Sequence, residues 1–150
     1  SKWQNSELVK FYCDMNKLSY AITYFYNVYG GRENCDGEFA TVIAKFLERK
    51  KHNKVLQVTK PGTQTRNFTH IDDTINALHL IAEKGQGDEY GIASSESYSI
   101  NEVAKLISDH VEYTKENIAN RLTSEIVTEK ILSLGWKPKH KLANYIKDKL

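Results

Sequence analysis

Arg66 is the residue whose type and setting point most directly to chemistry. It lies in the stretch Pro61 to Ala82, after a Pro61-Gly62 break and just before a helix start marked by Asp72 and Asp73. A guanidinium is always charged and presents a planar fork of donors, a shape suited to gripping a carboxylate or a phosphate. The same group can instead pair with Asp72 or Asp73 across the turn, and the local residues leave both readings open. Asn27 is the second candidate. In an open parallel sheet, ligands sit beyond the carboxyl ends of the strands. Asn27 ends one strand-like run and Arg66 follows another, so both can face one crevice.

The elements that must position these two residues are readable from hydrophobic periodicity. Leu8, Phe11, Tyr12 and Met15 mark a first helix face with no capping sequence before it, so the helix is expected to begin ahead of Ser1 and the chain to be a piece of a longer one. Ser19 to Tyr29, dense in β-branched and aromatic residues, predicts a strand covered on both faces. Phe39, Val42, Ile43 and Phe46 predict a second helix, and Lys54 to Val58 a short strand. Thr63 to Asn67 then crosses a surface. Ile71, Ile75, Leu78 and Ala82 predict one buried stripe on a helix that ends at Gly85-Gln86-Gly87 in a left-handed glycine conformation. Glu89 to Ala93 is a third strand. Ser99 and Glu102 form a capping box, with Tyr98 placed to staple onto Val103, ahead of a helix burying Ile100, Val103, Ala104 and Ile107. Thr123 or Ser124 opens a helix that runs through Val127, Ile131 and Leu134 to Gly135, and Leu142, Tyr145, Ile146 and Lys149 form a last one. Strands alternating with helices indicate an α/β fold with mostly parallel strands.

Composition bounds the function. A chain of 150 residues, 40% hydrophobic and 27% charged, is one folded domain. A net charge of +2 argues against nucleic acid or an anionic membrane as partner, and the lysines from Lys137 to Lys149 read as a solvated terminal helix. Cys13 and Cys35 have no C-x-x-C spacing, and free thiols fit a reducing cytosol. No apolar run approaches the ~20 residues of a membrane span, and no signal peptide pattern opens the chain. His52, His70, His79, His110 and His140 fall into no metal-ligand spacing, so no metal site is expected.

Four segments together resemble a known family: YFYNVYGGRE, TQTRNFTHIDDTINAL, YGIASSESYSINEVAKLI and LGWKP, in that order. They are similar to the C-terminal half of an NAD-dependent nucleotide-sugar epimerase or dehydratase, an extended short-chain dehydrogenase with a Rossmann-like fold. The resemblance implies that Ser1-Lys2 ends the family's Y-x-x-x-K motif. Lys2 is then the catalytic lysine that holds the nicotinamide ribose and lowers the pKa of a tyrosine lying ahead of Ser1. It also places the Phe25 backbone near the nicotinamide, Asn27 near the sugar-nucleotide diphosphate, and Arg66 on that diphosphate, while His70, Asp72 and Asp73 serve the helix start and packing. The chain departs from the family at Tyr24 (usually arginine), Gly31 (usually proline) and Asn67 (usually aspartate). The usual second phosphate arginine and a ribose-binding acid align with Asn117 and Asn120, with Lys115 or Arg121 as possible substitutes. No G-x-G-x-x-G follows a strand, so NAD would be bound mainly by an N-terminal half that this chain lacks.

The spacing of GGRENCDGEFATVI is similar to that of UDP-sugar 4-epimerases, which implies a UDP-sugar substrate, a transient hydride transfer to NAD and a keto sugar that turns over before hydride returns to its other face. ADP-heptose epimerases and sugar dehydratases share the scaffold. A non-catalytic sugar-nucleotide-binding module and a purely structural fragment are the readings from other classes. The family further implies a homodimer built on helices that include the one near Lys2.

Overall fold

The computed structural model describes residues 1–115 and 125–150. In chain order these form α1 (Lys2–Asn16), β1 (Ala21–Phe25), β2 (Val28–Tyr29), α2 (Val42–Lys51), β3 (Leu56–Thr59), β4 (Thr65–Asn67), β5 (Thr69–His70) and α3 (Ile71–Lys84). There follow β6 (Gly87–Ile92), β7 (Ser97–Ser99), α4 (Ile100–Ile107), β8 (Val111–Thr114), α5 (Glu129–Ser133) and α6 (Leu142–Lys149). Three strand pairs are parallel, β1 with β6, β2 with β5 and β3 with β8; β4 and β7 pair antiparallel. Helices stand between the parallel partners, because parallel strands need long crossovers. The fold is α/β, as expected.

Two apolar clusters hold these elements. In the first, Leu56 and Val58 of β3 point inward while Gln57 points out, and they meet Ile43 and Phe46 of α2, Val103 and Ile107 of α4, and Leu142 and Ile146 of α6. The second packs Ala77 and Ile81 of α3 against Tyr90 and Ile92 of β6, Ile131 and Trp136. Helix α4 follows its sequence closely. Ser99 Oγ accepts the Glu102 N–H at 3.2 Å, Glu102 Oε2 accepts the Ser99 N–H at 2.7 Å, and Ile100, Val103, Ala104 and Ile107 are buried. Helix α2 is capped by Thr41, whose Oγ1 accepts the Ala44 N–H at 3.3 Å.

Several sequence expectations are corrected. The Ser19 to Tyr29 run is two strands, because Asn27 at φ 42° breaks the ladder, and β1 is largely exposed rather than covered on both faces. Phe39 lies outside α2 and is 87% exposed. Thr63 to Asn67 does not merely cross a surface: it contains β4, with Gln64 and Asn67 buried. Helix α3 is turned about its axis from the expected orientation. Asp73, Thr74, Ala77 and Ile81 face inward, while Ile71, Ile75 and Leu78 are exposed. Polar anchoring outweighs the apolar stripe there: Trp136 Nε1 donates to Asp73 O at 3.0 Å, and the backbone N–H groups of Lys139 and His140 donate to Asp73 Oδ2 at 3.0 and 2.9 Å. Gly85 is extended (φ −84°, ψ 148°), and the left-handed glycine is Gly87 at φ 83°. Thr123 and Ser124 lie outside the described residues; the described helix is α5, closed by Gly135 at φ 91°. Strand β8 had no sequence signal strong enough to predict it.

Candidate functional site

Short strands that end together build a cleft of about 720 Å³ whose wall includes both Asn27 and Arg66. Asn27 occupies the break between β1 and β2. Its left-handed backbone is one that asparagine tolerates, and its Nδ2 donates to Asn67 O at 3.1 Å while its own carbonyl accepts the Thr69 N–H at 3.3 Å. Arg66 sits in the middle of β4, opposite Tyr98 of β7, with Nη1 donating to Thr65 O at 2.7 Å. The ion pair with Asp72 or Asp73 is not formed. Asp73 is committed to Lys139 and His140, and Asp72 lies 3.6 Å from His70 Nδ1. The two acids serve the start of α3, where His70 is the N-cap and its Nδ1 accepts the Asp72 N–H at 3.2 Å.

The wall of the cleft is cationic. Lys45 and Arg49 of α2 and Lys54 join Arg66, against Asp36 and Glu48. None of these three was singled out from the sequence, although Lys45, Arg49 and His52 repeat at i, i+4 and i+7 on the face of α2 opposite its buried residues, a legible signal. Gln64 was also missed. It is 4% exposed, its Nε2 donates to Thr59 O at 3.5 Å, and its Oε1 lacks a hydrogen-bond partner among the described residues.

The remaining site residues are not gathered here. Lys2, in the first turn of α1, and Phe25, at the end of β1, are exposed and do not line the cleft. Lys115 is exposed directly after Thr114, which does line it. Asn120, with Asn117 and Arg121, lies outside the described residues. Two of the departures from the family pattern, Asn67 and Tyr24, have local surroundings that can be described. Asn67 Nδ2 donates to Ser94 O at 2.9 Å and Glu96 O at 3.4 Å, bonds that an aspartate could not donate. Tyr24 stands beside the Lys10–Asp88 ion pair (2.6 Å), where burial first and Asp88 second push its hydroxyl pKa up.

Parallel strands joined by helices, with a cleft at the strand ends whose lining carries Lys45, Arg49, Lys54 and Arg66, define an α/β protein. Comparison with known proteins is consistent with that class. The sequence model of the NAD dependent epimerase/dehydratase family matches residues 1–93, and the chain belongs to this family. It is 31% identical to a putative UDP-glucose 4-epimerase of Methanocaldococcus jannaschii over 98% of the chain and 50% of that protein, and 31% identical to mouse dTDP-D-glucose 4,6-dehydratase over 87% and 40%. Its fold superposes on the UDP-glucose 4-epimerase of Thermotoga maritima, solved with UDP-glucose, with a TM-score of 0.90 and 26% identity, over 97% of the chain and 49% of that structure. The chain thus spans about half the length of the relatives it matches. Among the described residues no helix is long and apolar enough to cross a membrane.

Proposed function

We propose that this chain is the substrate-binding half of an NAD-dependent nucleotide-sugar 4-epimerase, with a UDP-sugar as substrate and a cytoplasmic site of action. The observation that carries the reading is that Asn27 and Arg66, remote in sequence, line one cationic cleft. Arg66 holds the diphosphate by charge-assisted bonds, and Lys45, Arg49 and Lys54 supply further positive potential around it. Lys45, Arg49 and Lys54, which line the cleft where Lys115 does not, take the place of the family's second phosphate arginine. Asn27 donates to the same diphosphate once it is released from Asn67 O.

NAD, when bound, supplies the hydride acceptor and donor. The residues present fit one end of it only. Lys2 and Phe25 are open to a nicotinamide ribose, while the sequence offers no glycine loop for the pyrophosphate. A dinucleotide-binding half in a longer protein therefore completes the enzyme. The exposed apolar face of α1, with Leu8, Phe11, Tyr12 and Met15, supports a homodimer through that helix. A dTDP-glucose 4,6-dehydratase reading is the second one, supported by relatives of similar identity. Calorimetric titration of the chain with UDP-glucose, dTDP-glucose and an ADP-sugar separates them. Preference for UDP-glucose is expected; a preference for dTDP-glucose transfers the reading to the dehydratases, and binding to none of them removes it.

A further inference from the structure

The ring of His140, 70 residues beyond His70 in the sequence, stacks on the ring of His70 with centroids 4.3 Å apart and planes 25° apart. Beside the pair stands the carboxylate of Asp72, and one donor atom from each of His70, Asp72 and His140 lies within 4.8 Å of the other two. This cluster stands apart from the cationic cleft: none of its three residues lines that wall. It borders instead a second recess between β2, the Gly30 to Glu33 loop and the start of α3, to which His70 and Asp72 belong.

We propose that His70, Asp72 and His140 form a binding site for a divalent transition metal of the zinc class. The donor set of two imidazoles and one carboxylate is the borderline mixture that Zn²⁺ takes, and three protein ligands leave a fourth position for water. Two features go beyond proximity. First, His140 is oriented from behind: its Nδ1 lies 3.0 Å from Asp73 Oδ1, and Asp73 is 1% exposed and fixed by the backbone N–H groups of Lys139 and His140. A carboxylate holding one ring nitrogen fixes the tautomer that offers the other, here Nε2, and raises its basicity toward a metal. Second, the local charge suits a cation. Asp72 and Asp73 bring two negative charges, and Lys141 is turned toward Glu96 at 3.5 Å.

His70 offers Nδ1, the lone pair that now accepts the Asp72 N–H at 3.2 Å and lies 3.6 Å from Asp72 Oδ2. The metal takes over that lone pair at the cost of one capping hydrogen bond, and because an imidazole coordinates in its own ring plane, the exposed His140 ring has to turn off the His70 stack, pivoting on its Nδ1 contact with Asp73, for both rings to meet one ion. His140 sits in the loop before α6, whereas His70 and Asp72 open α3. A bound ion would therefore clamp the C-terminal helix to α3, the joint that Asp73 already makes from below.

The test is titration of the full chain, carrying no polyhistidine tag, with Zn²⁺ and with Co²⁺. One equivalent is expected to bind with micromolar affinity, to raise Tm, and to give a Co²⁺ absorption of four- or five-coordinate character. His140→Gln and Asp72→Asn, both at exposed positions, are each expected to weaken binding at least tenfold. His79→Gln, which removes only an i, i+4 pair with Glu83 at 3.8 Å, should leave it unchanged. Ring nitrogen shifts of the wild-type chain, followed by NMR, read the ligands directly and do not depend on any variant folding. Affinity weaker than millimolar, equal binding by the His140→Gln variant, or shifts at His52 or His79 instead of His70 and His140 would overturn the proposal.

Discussion

At the scale of single residues, the candidate site depends on amides and cations whose partners are specific. Asn67 illustrates how narrow the choice is. Its Nδ2 donates to the carbonyl oxygens of Ser94 and Glu96 from a buried position, so a carboxylate placed there would face two acceptors with no proton to give. Asn67→Asp is expected to cost about 2 to 3 kcal/mol at neutral pH, measured by chemical denaturation, even though aspartate is the residue more usual in the family. That Arg66 and Asn27 can face one crevice was legible before the structure from their places at strand ends, whereas the local residues left Arg66 equally open to an ion pair, and its diphosphate role came from the family resemblance. Gln64 was not legible: only burial shows that its acceptor is unsatisfied. The His70–His140 stack was invisible for a different reason, since metal-ligand spacing along the chain says nothing about ligands brought together by the tertiary fold.

At the scale of elements, local chemistry settled α4 and misled on α3. Ser99 and Glu102 satisfy each other within one turn, so sequence alone contains the whole of that cap. The hydrogen bonds from Ser99 hold the Glu102 carboxyl below its ordinary value of 4.5. A carboxyl whose folded pKa is depressed adds stability above its unfolded pKa and loses it as pH falls through the folded one. The stability gap between the wild type and Glu102→Gln, followed by thermal unfolding, is therefore expected to be full at pH 6 and to close below about pH 4; a gap independent of pH would contradict the capping role. Helix α3 instead takes its rotation from Asp73, Lys139, His140 and Trp136, contacts made across more than sixty residues of sequence. Periodicity marks where apolar residues recur, and α3 shows that a buried polar anchor can turn that stripe outward.

At the scale of the whole molecule, the exposed apolar residues form a pattern. Leu8, Phe11, Tyr12 and Met15 on α1, Phe25 on β1 and Ile75 on α3 are each more than half exposed. Exposed apolar faces are where protein–protein contacts form. The proposal assigns them to a dimer partner and to a dinucleotide-binding half. The chain alone, supplied with NAD and UDP-glucose, is expected to form no UDP-galactose and to self-associate in sedimentation at about 100 μM. Turnover by the chain alone would show that it carries a complete active site, and a monomer at every concentration would count against α1 as the dimer helix.

The central claim is that the cleft holds a diphosphate through Arg66. Calorimetry of the chain with UDP and with uridine, repeated on Arg66→Ala, tests it most directly. UDP is expected to bind at least tenfold more tightly than uridine in the wild type, and Arg66→Ala is expected to remove about 1.5 to 3 kcal/mol of that binding while leaving uridine unaffected. Equal affinity of the wild type and the variant for UDP would contradict the account and leave Arg66 a structural residue of β4.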